Sequence, residues 1–327
     1  MTLLLNRQDV TRLLAMNDAI EAVEHAFREL ASGHVTMPQR TVIRVVDHKG
    51  IHLAMPAYIG AGVNALGVKV VTVYPDNPAR GLPTTIGLLL LNDPQTGAPL
   101  AVMDAGYLTA VRTGAVSGVA TKYLARPDAR RVGLFGAGVQ AATQLAAVQA
   151  VRKMESVNVF DTNAERAKTF AAEMRVKLGV PVTPVAEPRQ AVRGQDIVIL
   201  ASSATSPVFD GGWLEPGQHI NAVGSHTPGA RELDTAAVVR SKVVADLPEA
   251  CLVEAGDLII PIQEGAITRD HIVAGLGDVV AGLKPGRRGA EDITLFKSVG
   301  LALQDASTAS VVYTRAVAAG VGTQFTF

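Results

Sequence analysis

A glycine-rich turn lies between an apolar run and a helix-forming stretch near the middle of the chain. It reads GAGVQA over residues 136–141 and follows the strand-like run VGLF at 132–135. The pattern G-x-G-x-x-A is weak by itself. In this context, however, Gly136 permits a tight turn, Gly138 lets a phosphate approach the backbone, and Ala141 allows close packing of helix on strand. Because the N–H groups that open the helix would face that phosphate, the turn predicts a pyrophosphate-binding site.

An acidic residue ends the next strand-like run, about 20 residues beyond the turn. The run is SVNVFD, and its last residue is Asp161. A carboxylate there accepts hydrogen bonds from the ribose hydroxyls of NAD and repels the 2′-phosphate of NADP. Thr162 and Asn163, which follow, provide no arginine for that phosphate. The other interpretation makes Asp161 only the N-cap of a helix that starts at Ala164. We expect NAD(H) as the preferred dinucleotide, with NADP(H) as the alternative.

Three cations in the first third of the chain suggest a site for a carboxylate. Lys69 lies inside the apolar run LGVKVVTVY, Arg112 lies in a helix of small residues, and Arg40 lies in MPQRTVI. Together they would form a clamp in which an arginine binds the carboxylate bidentately. The ordinary alternative is a lysine on an edge strand that points to water, and arginines on solvated faces. Both interpretations are open at the level of sequence.

The composition is typical of a two-domain globular protein of balanced charge. The 327 residues are 48% hydrophobic and 18% charged, with 30 basic and 30 acidic side chains. This balance excludes a global field that would attract nucleic acid or an anionic membrane. No apolar run reaches the roughly 18 residues of a membrane span, and three N-terminal leucines are too few for a signal peptide. The lone Cys251 excludes a disulfide framework and a cysteine-rich zinc site. We expect a cytoplasmic protein without a metal and without nucleic-acid or membrane partners.

Two kinds of pattern divide the chain. Residues 7–32 predict an amphipathic helix pair, and residues 40–91 contain strand-like runs without helices between them, which predicts an antiparallel or mixed sheet. Residues 104–124 predict a helix of small residues, and the polar break RPDAR follows it as a domain boundary. From about residue 130 strands and helices alternate, which is typical of a doubly wound parallel sheet. The last predicted helix covers roughly 299–319.

Four stretches of the chain resemble the ornithine cyclodeaminase/mu-crystallin family in order and spacing. They are AVMDAGYLTAVRTGAVSGVATKYL, GLFGAGVQA, HINAVGSHTPGARELD and TLFKSVG. The resemblance implies the fold class α/β, with a Rossmann-type doubly wound parallel sheet and a split α+β domain for substrate binding and dimerisation. The implied domains are 1–120 with 300–327 for the split part and 121–299 for the NAD-binding part. The implied assembly is a homodimer.

The resemblance also implies roles for individual residues. Arg40, Lys69 and Arg112 correspond to the residues that hold the substrate carboxylate, which agrees with the clamp. Val299 falls beside the substrate. The positions that correspond to dinucleotide contacts are Thr84, Arg112, Thr113, Val139, Gln140, Asp161, Ser202, Val223, Gly224, Ser225 and Ser298, beside Gly136 and Gly138 of the turn.

One position departs from the pattern of the cyclodeaminases. They carry an acidic residue two positions after the glycine of HINAVG, as the base that serves the amino group, and this chain has His226 there. An imidazolium repels a cationic second amine, whereas a carboxylate attracts it. Deamination of a diamino acid is therefore doubtful here.

We expect NAD(P)H-dependent, reversible reduction of a cyclic imino acid of the pyrroline-2-carboxylate or piperideine-2-carboxylate type. The family resemblance leaves an alanine dehydrogenase or an ornithine cyclodeaminase as alternatives. A third alternative, from another class, is a mu-crystallin-like protein that binds nucleotide and a small ligand. In the expected reaction either Lys69 or His226 supplies the proton.

Overall fold

The computed structural model describes residues 1–326. Its strands are β1 (Thr2–Leu5), β2 (Val35–Thr36), β3 (Thr41–Val45), β4 (Gly50–Ile59), β5 (Ala65–Val73), β6 (Thr85–Asn92), β7 (Pro99–Asp104), β8 (Arg131–Phe135), β9 (Ser156–Phe160), β10 (Val182–Pro184), β11 (Ile197–Leu200), β12 (His219–Ala222), β13 (Lys242–Ala245), β14 (Ile272–Gly275), β15 (Thr294–Lys297) and β16 (Thr323–Phe325). Its helices are α1 (Arg7–Leu13), α2 (Met16–Ala31), α3 (Ala105–Leu124), α4 (Val139–Val151), α5 (Ala164–Leu178), α6 (Thr235–Val239), α7 (Pro248–Glu254), α8 (Gly256–Gln263), α9 (Leu276–Val280) and α10 (Ala302–Ala319).

The chain forms two compact units. The first contains Met1–Arg112 together with the segment that starts at Leu301, and the second contains Thr113–Gly300. The units divide within α3, whereas the sequence pattern predicted the boundary at RPDAR, after this helix, and the family resemblance implied it at residue 120. No helix of residues 1–326 is long and apolar enough to cross a membrane.

The first unit is built on an eight-stranded mixed sheet. Its order is β16-β1-β7-β6-β5-β4-β2, and β3 also pairs with β4. The pairs from β3 to β7 are antiparallel, which confirms the expected antiparallel or mixed sheet for residues 40–91, and β1 is parallel to β7. The C-terminal helix α10 packs on β4 and β5 and on α2. Its N-terminal half is buried, because small side chains such as Ala306 and Ala309 allow close approach to the sheet.

The second unit is built on an eight-stranded parallel sheet of order β10-β9-β8-β11-β12-β15-β13-β14. Alternate side chains of β11 enter different apolar cores: Ile197 and Ile199 join one, and Val198 and Leu200 join the other. Both faces of the sheet are therefore covered, and the doubly wound fold is confirmed. The strand order reverses between β8 and β11, and ligands of such sheets bind outside the carboxyl ends of the strands at that point.

A buried histidine lies among the polar groups of this sheet. His219 on β12 is fully buried, with Nδ1 at 3.0 Å from the Thr294 hydroxyl and Nε2 at 3.2 Å from the Asn221 amide oxygen. Burial, followed by the nearby charge of Arg287, lowers the pKa of His219 from 6.5 to about 3. The unfolded chain therefore binds more protons than the folded chain between these two values, and stability falls as the pH falls through this window.

This linkage predicts an acid sensitivity that belongs to one residue. Between pH 7 and pH 5, His219 should remove about 2 kcal/mol from the free energy of unfolding. His219→Gln keeps a polar side chain that cannot titrate. Between pH 7 and pH 5 the variant should therefore lose about 2 kcal/mol less of its free energy of unfolding than the wild type loses. Urea unfolding at both pH values measures the difference, and equal changes in the two proteins would contradict it.

Candidate active site

A buried carboxylate joins two of the three predicted cations in the first unit. The Lys69 Nζ lies 2.8 and 2.7 Å from the two Asp305 oxygens, and the Arg112 Nε lies 2.9 Å from Asp305 Oδ1. The Lys69 and Asp305 side chains are each 1% exposed. Lys69 lies on β5, which is paired on both sides by β4 and β6. The edge-strand interpretation of this lysine is therefore wrong.

Arg112 has a second partner on α10. Its Nη1 donates to the Gln304 side-chain oxygen at 2.7 Å. The Gln304 amide nitrogen is also buried, and it donates to no hydrogen-bond acceptor within residues 1–326. A buried donor of this kind is costly unless an acceptor reaches it. A ligand oxygen bound beside Arg112 would be such an acceptor.

The electrostatics of this cluster favour an anion. Burial and the charges of Arg112 and Arg40 lower the pKa of Lys69, Asp305 raises it, and the net result is a pKa of about 7. The effect of Arg40 on Lys69 is consistent with the third predicted cation lying close by. With Lys69 protonated, Lys69 and Arg112 together outweigh the single Asp305 carboxylate, so the cluster carries a net positive charge. An incoming carboxylate would offset the burial of these cations.

Sequence reasoning missed Asp305 because nothing near it in the chain suggests its partners. Asp305 lies in the run ALQDASTAS, and Lys69 is 236 positions away. The available signal was the helix itself: Gln304 and Asp305 interrupt a stretch of small and apolar residues. A charged residue in a stretch of that kind is almost never buried without a partner.

The glycine turn of the second unit has the geometry of a phosphate site. Gly136 adopts φ +99°, and a Cβ there would lie 2.5 Å from the Ala201 carbonyl oxygen, so only glycine fits. Gly138 is the N-cap of α4 and has no side chain to cap its N–H groups. No atom of residues 1–326 lies within 4 Å of a Cβ built on Gly138. These features fit a dinucleotide pyrophosphate, as the sequence predicted.

Asp161 lies at the end of β9 beside this turn. One carboxylate oxygen accepts the Ala137 N–H at 3.0 Å, and the other accepts the Asn163 N–H at 2.8 Å. Arg166 pairs with both oxygens. The N-cap of α5 is Asn163, whose side chain accepts the Arg166 N–H, so the N-cap interpretation of Asp161 is wrong. Arg166 lies one helical turn beyond Asn163 and is an arginine that the sequence analysis did not consider.

Buried charged residues hold the strand ends on which several predicted cofactor residues lie. The Glu232 carboxylate accepts hydrogen bonds from the Ser202 N–H and hydroxyl and from the Gly224 N–H, at 2.6 to 2.9 Å. It thereby joins the segments that follow β11 and β12. Burial raises the pKa of Glu232. Sequence analysis missed this residue.

Two further buried groups act in the same way. Lys297 donates to the Ser225 carbonyl and to Asp257, both at 2.6 Å. Asp246 accepts the Ser298 hydroxyl at 2.7 Å and the Val299 N–H at 2.9 Å. Predicted site residues after β12 and β15 are therefore fixed by charges from distant parts of the second unit.

The remaining predicted residues occupy more accessible places. His226 is exposed after β12, with Nδ1 at 3.1 Å from the Gly224 carbonyl oxygen. Val139 and Gln140 open α4, and Val223 follows β12. In the second unit Thr113 accepts a hydrogen bond from Gln144 on its carbonyl. In the first unit Thr84 is exposed just before β6.

Comparison with known proteins shows the family of this chain. The model of the ornithine cyclodeaminase/mu-crystallin family matches residues 1–320. The chain belongs to this family. The resemblance stated from the sequence motifs is thereby confirmed.

Members of the ornithine cyclodeaminase/mu-crystallin family with known activities are similar along the whole chain. A Delta(1)-pyrroline-2-carboxylate reductase of Bacillus cereus is 41% identical over 326 residues, which cover 99% of this chain and 100% of the relative. The solved Thermococcus litoralis Delta(1)-pyrroline-2-carboxylate reductase, in complex with NADH and L-proline, is 51% identical with a TM-score of 0.96, covering 99% and 100%. An archaeal alanine dehydrogenase dimer with bound NAD is 38% identical with a TM-score of 0.94, covering 100% and 99%.

In this family member, Asp305→Asn should destabilise the fold strongly, because it removes the only charge that pairs Lys69 with Arg112 in the described part of the first unit. We expect a loss of about 3 kcal/mol or more in the free energy of unfolding. The matched control is Asp18→Asn, which breaks the partly exposed pair with Arg315 in the same unit and should cost less than about 1 kcal/mol. Urea denaturation compares the two, and similar losses would refute the role of Asp305.

Proposed function

We propose that this chain is an NAD(H)-dependent reductase of a cyclic imino acid of the pyrroline-2-carboxylate or piperideine-2-carboxylate type, acting reversibly as an amino-acid dehydrogenase. The observation that carries the proposal is the buried, net-positive cluster of Lys69, Arg112 and Asp305, which suits a carboxylate. The Thermococcus litoralis relative, solved with NADH and L-proline, supports it. In this assignment the first unit binds the substrate and the second unit binds the dinucleotide.

Each group has a distinct part in the proposed reaction. The Arg112 guanidinium, with Arg40 nearby, binds the substrate carboxylate and so orients the imine. The Gln304 amide nitrogen donates to a carboxylate oxygen. NADH supplies the hydride that adds to the imine carbon. The imine nitrogen takes a proton from Lys69, so that imine, NADH and one proton give amine and NAD⁺.

Lys69 suits the proton transfer better than His226 does. A pKa of about 7 leaves comparable amounts of ammonium and amine at neutral pH, which is the condition for efficient acid–base catalysis. Burial shields the Lys69 ammonium from water, whereas His226 is exposed. We therefore assign His226 no essential part in proton transfer.

A substrate panel tests the assignment. The panel contains pyrroline-2-carboxylate, piperideine-2-carboxylate, pyruvate with ammonia, and ornithine. The first three are assayed with the reduced nucleotide, and ornithine is assayed with the oxidised nucleotide. We expect reduction of a cyclic imino acid with NADH to exceed the other activities by orders of magnitude. Faster turnover of pyruvate with ammonia would make the chain an alanine dehydrogenase. Proline and ammonia from ornithine would make it a cyclodeaminase, and binding without turnover of any substrate would make it a binding protein.

The proton donor is tested by paired variants. Lys69→Arg keeps the positive charge but gives up no proton near neutral pH, so the reduction rate should fall by about 10²-fold. For the wild type, kcat/KM should decline above about pH 7, because Lys69 then loses its proton, and the variant should lack this decline. His226→Ala, the control, should retain the wild-type rate within about twofold. A large loss in His226→Ala beside an active Lys69→Arg would transfer the role to the histidine.

The sheet of the first unit offers a face for a second copy of the chain. The register aligns Ala54, Val70 and Leu88 across β4, β5 and β6, and it aligns Pro56, Val68 and Leu90 in the next row. Lys69, between Val68 and Val70, points to the opposite face, where α10 packs. Leu88 remains 57% exposed. A contiguous apolar face of this kind is typical of an interface. The dimeric alanine dehydrogenase relative supports a two-fold symmetric homodimer.

Leu88→Glu should break this dimer, since it would bury a carboxylate in each copy of the apolar face. The matched control is Val176→Glu on α5, where the valine is 85% exposed. Light scattering at micromolar concentration should give a dimeric mass for the wild type and the control, and a monomeric mass for Leu88→Glu. A monomeric wild type would contradict the proposed assembly, as would a dimeric Leu88→Glu.

A further inference from the structure

The Asp161 carboxylate already accepts four hydrogen bonds. Two come from the backbone N–H groups of Ala137 and Asn163. The other two come from Arg166, whose Nε lies 3.1 Å from one oxygen and whose Nη2 lies 2.6 Å from the other. A carboxylate offers about four lone-pair sites. Asp161 therefore has no free site for a further donor.

The four donors differ in how easily they can leave. The Ala137 N–H belongs to the glycine turn and the Asn163 N–H to the start of α5, so the backbone fixes both. Arg166 donates from a long side chain that is 55% exposed, whereas the Asp161 side chain is 4% exposed. A ribose hydroxyl that donates to Asp161 must therefore compete with Arg166.

The same arginine changes the electrostatics for a 2′-phosphate. Paired with Asp161, Arg166 neutralises the charge that would otherwise repel the phosphate. An Arg166 guanidinium displaced from Asp161 is a planar donor suited to bidentate binding of phosphate oxygens. The nearby Glu165 and Lys168 pair with each other at 2.7 Å, so they add little net charge.

We propose that Arg166 is a specificity-determining residue for the nucleotide: it competes with the ribose of NADH for Asp161, and it binds the 2′-phosphate of NADPH. The chain accordingly binds both nucleotides, and Asp161 sets a smaller preference for NADH than an unpaired carboxylate would. This inference rests on the proposed function, because it requires a dinucleotide at the glycine turn. Arg166 is not needed to cap α5, since Asn163 does that.

Nucleotide affinities of the full-length protein test the inference without any substrate. Dissociation constants for NADH and NADPH are measured by fluorescence titration for the wild type, Arg166→Gln, Asp161→Asn and the double variant. Arg166→Gln should weaken NADPH binding by about tenfold or more, the scale of one charge-assisted hydrogen bond. The same variant should bind NADH as tightly as the wild type or more tightly. Asp161→Asn should raise the affinity for NADPH relative to that for NADH. The double variant should lose this increase in relative NADPH affinity.

Lys168→Gln is the matched control, because it removes one positive charge from the same turn of α5. Lys168→Gln should weaken NADPH binding by less than about twofold, since exposed charges interact weakly. An equal effect of Lys168→Gln and Arg166→Gln would overturn the inference, and so would an unchanged NADPH-to-NADH ratio in Arg166→Gln. Failure of the wild type to bind either nucleotide would instead overturn the proposed function.

Discussion

The burial of two cations in the first unit depends on the Asp305 carboxylate. Desolvating an ammonium or a guanidinium costs several kcal/mol, and this cost is offset only by a close opposite charge with good geometry. Asp305 lies within 3 Å of both Lys69 and Arg112. Because the three residues come from β5, α3 and α10, the same contact ties the C-terminal helix to the sheet of the first unit.

This arrangement gives the cluster its chemistry as well as its stability. One carboxylate cannot neutralise both a protonated Lys69 and Arg112, and the remaining positive charge suits a carboxylate ligand. Burial and the two arginines bring the pKa of Lys69 to about 7. A single constraint therefore accounts for both proposed tasks, carboxylate binding and proton transfer. The second unit uses the same principle, since Glu232, Lys297 and Asp246 hold the strand ends that carry proposed cofactor contacts.

The fold was largely predictable because its signals are local. Alternating strands and helices indicated the parallel sheet, and the glycine turn was predicted from its pattern, its place between a strand and a helix, and the position of Asp161. The short strand β14, with the sequence IVAG, was not predicted, because its Ala274 and Gly275 are residue types that strands disfavour. Asp305 and Glu232 were missed because their partners lie far away in sequence. The contact between Arg166 and Asp161 could have been predicted from local sequence. In a helix that starts after Asn163, the side chain of residue 166 tilts back toward the end of the preceding strand.

The ionisation of Lys69 tests the account most directly. Selective ¹³C labelling of lysine, with the Lys69 signal assigned by its absence in Lys69→Arg, gives the pKa by NMR titration with and without L-proline. The account predicts a pKa near 7 in the free protein and a clear rise when the carboxylate of L-proline binds. A Lys69 that titrates like an exposed lysine, near 10.4, or that does not respond to the ligand would contradict it.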